Sequence, residues 1–159
     1  MRARRLCRLC RTEDPEAAFD GEGARRYGGR WNRPGTRAVY TASSLSLAVL
    51  ENLVHFDLDD PPEARFWFFF VEIPDDVGVE TIDIATMPTA WETYPGPDAL
   101  RDIGTQWANS GETAVLEVPS AVVPESNFLV NPVHPDFYRL AIAPPKPYSF
   151  DFRLFADRD

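Results

Sequence analysis

The chain is short of lysine, histidine and cysteine: one Lys stands against fifteen Arg, with two His and two Cys in 159 residues. Cys7 and Cys10 form "CRLC", and a single CxxC pair makes no zinc site without two further ligands. His55 and His134 show no ligand spacing, so no metal is expected. A thioredoxin-like role would need a βαβ setting that the pattern does not provide. In an extended segment, positions three apart point to opposite faces, so the two thiols read as separate, reduced and structural. No apolar run approaches the roughly 18 residues of a membrane helix. The basic start lacks the apolar stretch of a signal peptide. A cytoplasmic protein with no membrane contact is the expectation. Walker and Rossmann glycine patterns are absent, and so is a G-x-S-x-G elbow, which argues against pairing Ser120 with His134 as a hydrolase. No repeat or low-complexity tract occurs.

Charge is present but uneven. The net value is −9. Ten of the fifteen arginines lie in residues 1–37, beside five acids, whereas residues 38–159 hold five Arg and the one Lys against twenty acids. A net acidic chain binds nucleic acid poorly, so no direct nucleic-acid role is expected. The arginine-rich start suits a small anionic ligand or an acidic partner; equally, it reads as a solvated basic segment paired with acids elsewhere. The length fits one domain over residues 1–159, enough to bury roughly 70% of the unfolded surface.

Periodicity gives the elements. "RRLCRLC" and "RAVYTA" (37–42) read as strands, and "PEAAFDGEGARRYGG" as an irregular, ligand-facing segment. "SSLSLAVLENLVHF" (43–56) is the clearest helix, capped by Ser43 or Ser44. Its apolar residues run nearly all the way round, which predicts burial on most sides. Pro61-Pro62 closes that region. "ARFWFFFVEI" (64–73) is apolar on both alternating faces, as in a central strand covered from both sides. "DALRDIGTQWANSG" (98–111) is a second helix with a Leu100–Ile103–Trp107 stripe and Gly111 as its stop. "TAVLEVPSAVV" (113–123) is a strand that breaks at Pro119. "YRLAIA" and "YSFDFRLF" read as late strands. Several strands with few helices, and no regular βαβ series, place the chain in the α+β class.

"YGGRWNRPG" (27–35) sets a guanidinium directly after two glycines. Gly28 and Gly29 let backbone turn or come close to a ligand, and Arg30 can grip an anion. The alternative is a loop arginine paired to a surface acid. Glu51 shares a helical stripe with Leu47, Leu50 and Val54. A carboxylate there pairs with an arginine for structure, lies at a solvated edge, or serves catalysis from a partly dry pocket. Tyr40 precedes that helix and can stack on a flat ring or donate a hydrogen bond, or it is a core tyrosine. In 118–137, Ser120 ends a strand, Asn127 and Asn131 flank an apolar run, and His134 sits between prolines.

"FDGEGARRYGGRWNRPGTRAVYTASSLSLAVLENLVH", "LRDIGTQWANSGETAVLEVPSAVVPESNFLVNPVHPDF" and "FDFRL" together resemble the RES-domain toxins of bacterial RES–Xre type II toxin–antitoxin systems, over roughly residues 5–155. The resemblance implies a fold like ADP-ribosyltransferases and diphtheria-type toxins, with a mixed β core. It implies Arg30, Tyr40, Glu51 and Ser120 as the catalytic set. Arg8, Gly28 and Gly29 would join Arg30 and Tyr40 in holding NAD+, while Trp31 braces the loop. The family consumes NAD+ as a substrate: members split its nicotinamide–ribose bond with water or phosphate, or move ADP-ribose onto a protein such as phosphoribosyl pyrophosphate synthetase. The implied partner is a Xre-type helix-turn-helix antitoxin that blocks the site in a hetero-oligomer. The third possibility is an idle binding module that keeps only the fold.

Overall fold

The computed structural model describes residues 3–55 and 65–155. Phe56, Pro61-Pro62 and residue 64 of the expected elements lie outside the described residues. Eight strands form one sheet: β1 (Arg4–Arg11), β2 (Val39–Ala42), β3 (Phe66–Ile73), β4 (Val79–Thr81), β5 (Val115–Pro119), β6 (Ser126–Val130), β7 (Ala141–Ile142) and β8 (Lys146–Tyr148). Their order is β4-β5-β6-β2-β1-β3-β7, with β8 also on β3. Among the described residues only β4 and β5 run parallel. Three helices accompany the sheet: α1 (Glu22–Tyr27), α2 (Leu45–Leu53) and α3 (Asp98–Ser110). The α+β class is therefore correct.

Alternation sorts the side chains onto two faces. Leu6, Val39, Phe69, Val71, Val115 and Phe128 build the core on one. The other carries both longer helices. Leu47 and Ala48 of α2 pack with Cys7, Leu9, Ala42 and Phe66. Leu100 and Trp107 of α3 pack with Trp31, Leu116, Val118 and Leu129. Cys7 and Cys10 accordingly face opposite ways, as free thiols.

One register detail makes room for a site. β1 pairs with β3 along its whole length, from Arg4↔Ile73 to Arg11↔Phe66. With β2 it shares only Cys7↔Ala42. The two strands then part, and the gap opens on the face between α2 and α3.

Local signals explain the helices. Ser44 accepts from the Leu47 N–H at 3.1 Å and caps α2. Gly111, at φ 63°, ends α3 in the left-handed conformation.

Several expectations need correction. α2 is not buried on most sides: Leu50 is 39% and Val54 57% exposed, because only one face of the helix meets the sheet. β3 is apolar on both faces as expected, but it is next to the sheet edge rather than central. The irregular 15–29 segment contains α1. β4 and β6 were missed, the first because it is three residues long with Glu80 and Thr81 exposed and the second for the polar Ser126 and Asn127 at its start. The strand in 113–123 starts at Val115, two residues later than expected, and ends at Pro119, where the break was expected. "YSFDFRLF" does not continue as a strand. Asp151 accepts from the Arg153 N–H at 2.9 Å and starts a 3₁₀ turn, leaving Phe152 79% exposed. "YRLAIA" keeps only two strand residues, because His134 Nδ1 caps a 3₁₀ turn over Pro135–Arg139.

Candidate active site

The loop after α1 is built around one buried amide. Asn32 is fully buried; its Nδ2 reaches the carbonyls of Ala24, Arg33 and Thr36 at 2.9–3.1 Å. Its Oδ1 accepts from the Tyr40 hydroxyl at 2.6 Å, and the Trp31 N–H donates to that same Tyr40 oxygen at 3.1 Å. Burial pushes the Tyr40 hydroxyl well above its ordinary pKa. Its polar end is thus occupied within the protein.

The twin glycines serve this arrangement. Gly28 (φ 70°) ends α1, and a Cβ there would sit 3.0 Å from the Asn32 carbonyl and from Pro34. A Cβ on Gly29 would lie 2.5 Å from the Tyr40 oxygen. Trp31 is buried against Leu100 and Trp107 and does brace the loop. Gly104 of α3 lies against the Trp31 carbonyl, where no side chain fits.

The gap between β1 and β2 continues into a cleft of ≈ 520 Å³. Strands contribute Cys7, Arg8 and Leu9 from one side and Tyr40, Thr41 and Ala42 from the other. α2 presents Ala48, Glu51 and Asn52, followed by His55. Gly28, Gly29, Arg30, Tyr94, Gly96, Arg101 and Asn127 also line the cleft, as do Ala24, Trp31 and Pro95. Arg8, Gly28, Gly29, Arg30, Tyr40 and Glu51 therefore share one cavity. Its size falls within the range usual for small-molecule sites.

Ser120 does not line this cleft; it reaches Glu51 from behind. Its hydroxyl donates to Glu51 Oε1 at 2.6 Å and accepts from the Val122 N–H at 3.1 Å, so its proton is aimed at the carboxylate. Asn127 Nδ2 donates to the same oxygen at 2.6 Å. Glu51 sits where the sheet-facing side of α2 meets the open cleft, partly buried.

Arg30 is not a free anion clamp. Its Nη1 and Nη2 donate to the Trp91 and Thr93 carbonyls at 2.9 and 3.0 Å, so it straps the 91–96 loop while lining the cleft. Arg8 bridges the split strands by donating to the Tyr40 carbonyl at 2.9 Å. No carboxylate among the described residues pairs with it, and its Nε has no partner. Burial lowers its pKa from the ordinary value of a guanidinium. The charge of Asp20 and a hydrogen bond with Cys10 act the other way, and it remains a cation with no carboxylate in direct contact among the described residues.

The other basic residues at the start of the chain are mostly neutralised within the protein. Arg25, Arg26 and Arg37 converge on Glu22, whose carboxyl the hydrogen bonds from Arg25 and Arg26 hold down at about 2. Arg33 pairs with Asp102, and Arg4 with Glu117. Arg4, Arg25, Arg26, Arg33 and Arg37 thus meet acids, as the reading of a solvated, paired segment expects, while Arg8 and Arg30 line a cavity. His134 and Asn131 are structural: His134 caps its turn, and Asn131 holds the Val133 N–H and the Ala108 carbonyl.

Sequence reasoning missed Asn127, His55 and Tyr94 as site residues. The His55 and Tyr94 rings lie 5.6 Å apart across the cleft wall. The signal for Asn127 was an amide beside an apolar run; nothing local marked the other two.

The whole of this site falls inside a stretch that matches a known domain: residues 5–151 match the RES domain. The chain belongs to the RES-domain family. A RES protein of Yersinia enterocolitica named "Toxin Res" is 42% identical over 140 residues, covering 87% of this chain and 91% of its own length. The "Prs ADP-ribosylating toxin" of a Sphingobium strain is 39% identical, covering 86% of each chain. The crystal structure of the M. tuberculosis MbcT–MbcA toxin–antitoxin complex contains a similar fold, with a TM-score of 0.69 at 20% identity over 93% of this chain and 85% of that one. Among the described residues of this RES chain no helix is long and apolar enough to cross a membrane, and no group of three His, Cys, Asp or Glu is placed to hold a metal ion.

Proposed function

We propose that this RES-domain chain is the toxin of a toxin–antitoxin pair and consumes NAD+ by breaking its nicotinamide–ribose bond. The observation that carries this reading is the meeting of Glu51 with Arg8, Arg30 and Tyr40 in one cleft. A cation with no carboxylate in direct contact suits a substrate that brings a pyrophosphate. Arg8 is that cation, with Arg30 beside it. Because the Tyr40 hydroxyl is held by Asn32 and Trp31, its ring, not its proton, is what faces a nicotinamide or ribose.

When the C–N bond breaks, its electron pair passes to the nicotinamide nitrogen, which leaves as a neutral ring. Positive charge builds on the ribose, as in an oxocarbenium ion. Glu51 stabilises that charge through its second oxygen and the ribose hydroxyls, so no strong general acid is needed. The acceptor oxygen, from water or phosphate, bonds to the ribose carbon and releases its proton. Ser120 acts here as a positioning residue, since it touches Glu51 and not the cleft.

A second reading keeps the site and changes the acceptor to a protein side chain. It is favoured by the printed name of the Sphingobium relative. The MbcT–MbcA complex supports an antitoxin partner. For this chain we assign that role to a helix-turn-helix protein of Xre type that covers the cleft.

Purified protein incubated with NAD+ tests these readings. Rapid nicotinamide release without labelled protein supports NAD+ degradation, and comparison with and without phosphate identifies the acceptor. Release only alongside a labelled substrate protein supports transfer. Glu51→Gln should lower kcat/KM by on the order of 10²–10³-fold. Full turnover in that variant would overturn the mechanism.

A further inference from the structure

We infer that Asn127 is a positioning residue that fixes which oxygen of Glu51 faces substrate. Its catalytic consequence rests on the NAD+ reading above; the contact itself does not.

Two donors converge on one oxygen. Ser120 Oγ and Asn127 Nδ2 both reach Glu51 Oε1 at 2.6 Å. No side chain among the described residues donates to Oε2, which is left for a ligand hydroxyl. The amide orientation at Asn127 is not interchangeable: the flipped rotamer would set its oxygen against the carboxylate, and like partial charges repel.

The two donors are not equivalent supports. Ser120 lies in the loop after β5. Asn127 lies within β6, paired to Val118 on one side and to Ala42 on the other. Its backbone is held between two strands, so its side chain is the rigid reference for the carboxylate. It also lines the cleft, whereas Ser120 does not.

Asn127 carries a cost that packing does not explain. Its Oδ1 is buried and accepts no hydrogen bond from the described residues. An unpaired buried acceptor is destabilising, and an apolar side chain of similar size would avoid it. What such a residue cannot supply is the donor to Glu51. A net loss tolerated beside a cleft points to function rather than stability.

The test compares Asn127→Leu and Asn127→Asp by nicotinamide release and by urea unfolding, each alone and with Glu51→Gln. Leu fills the space without a donor. We expect kcat to fall about 10–100-fold, the size of one lost charge-assisted hydrogen bond, with KM within about twofold. Asp has the shape of Asn but sets a carboxylate against a carboxylate, so its kcat falls further than that of Leu. A purely structural role predicts the opposite order, with the isosteric Asp the milder change. In unfolding, the Asp penalty should shrink when residue 51 is Gln, whose amide can donate to it. The inference is overturned if Asn127→Leu keeps wild-type kcat, if KM rises while kcat is unchanged, or if Asn127→Asp and Glu51→Gln are additive in unfolding. Should Asn127→Asp fail to fold, the Leu variant decides alone. Should the wild type release no nicotinamide, the NAD+ reading falls, and the unfolding cycle still decides the contact.

Discussion

Gly29→Ala separates two reasons for a glycine beside the cleft. If backbone approach to a ligand requires Gly29, alanine should leave the fold intact and weaken ligand binding. The structure gives another reason. The new Cβ would lie 2.5 Å from the Tyr40 oxygen and 2.8 Å from its ring carbon Cζ. That ring cannot swing aside freely, because its hydroxyl is held by Asn32 and the Trp31 N–H. Overpacking of this kind costs about 1–3 kcal/mol. Reduced freedom of the unfolded chain returns about 0.4–1 kcal/mol. The net effect is a loss of roughly 1–2 kcal/mol, or a midpoint lower by about 2–8 °C for a domain of this size. Tyr40→Phe removes the nearer of the two clashing atoms while leaving the buried Asn32 Oδ1 without its donor, which costs about 1–3 kcal/mol by itself. The double variant should therefore be more stable than the sum of the single effects predicts. Urea unfolding of the four proteins measures this cycle. An unchanged midpoint for Gly29→Ala, together with weakened NAD+ binding, would refute the reasoning and return the glycine to the ligand.

Two further outcomes follow from buried groups. Arg8 is a desolvated cation with no carboxylate in direct contact among the described residues, and desolvation outweighs the pull of Asp20, so Arg8→Met should leave the thermal midpoint unchanged or raise it, while weakening NAD+ binding at least about tenfold; a lower midpoint with normal binding, by thermal shift and calorimetry, would contradict this. Burial pushes the Cys7 thiol from 9.0 up to about 11. A raised pKa means the folded state keeps its proton longer, so this stability is complete below pH 9 and lost as pH rises towards about 11. Tyr40 adds to the loss at still higher pH, with the same sign. The thermal midpoint should fall through that alkaline window, and Cys7→Ala should flatten the fall; an identical slope in both proteins would assign it elsewhere.

The sequence by itself determined the elements that depend on neighbours in the chain. The Ser43-Ser44 pair marks the start of α2, with Ser44 making the cap, and Gly111 marks the stop of α3, because capping is a local hydrogen-bond and backbone problem. The two-faced apolar character of β3 followed from period alone. Opposite facing of Cys7 and Cys10 did too. Residue type left Arg30, Tyr40 and Glu51 each with a structural alternative, and the family resemblance named them as the candidate set. Tertiary structure decided the rest. Only the sheet order brings β1 beside β2, and only their single shared pair opens the cleft. Ser120 and Asn127 stand 69 and 76 positions from Glu51, and the strand ladder alone delivers both to one oxygen. Arg30 is held by carbonyls 61 and 63 positions away, and α2 leaves Leu50 and Val54 in solvent despite its apolar sequence. The physical reason is common to all of these. Caps and periodicity are set within a turn or two of chain, whereas the partner a side chain finds across the fold depends on which surfaces pack, and that leaves no local mark.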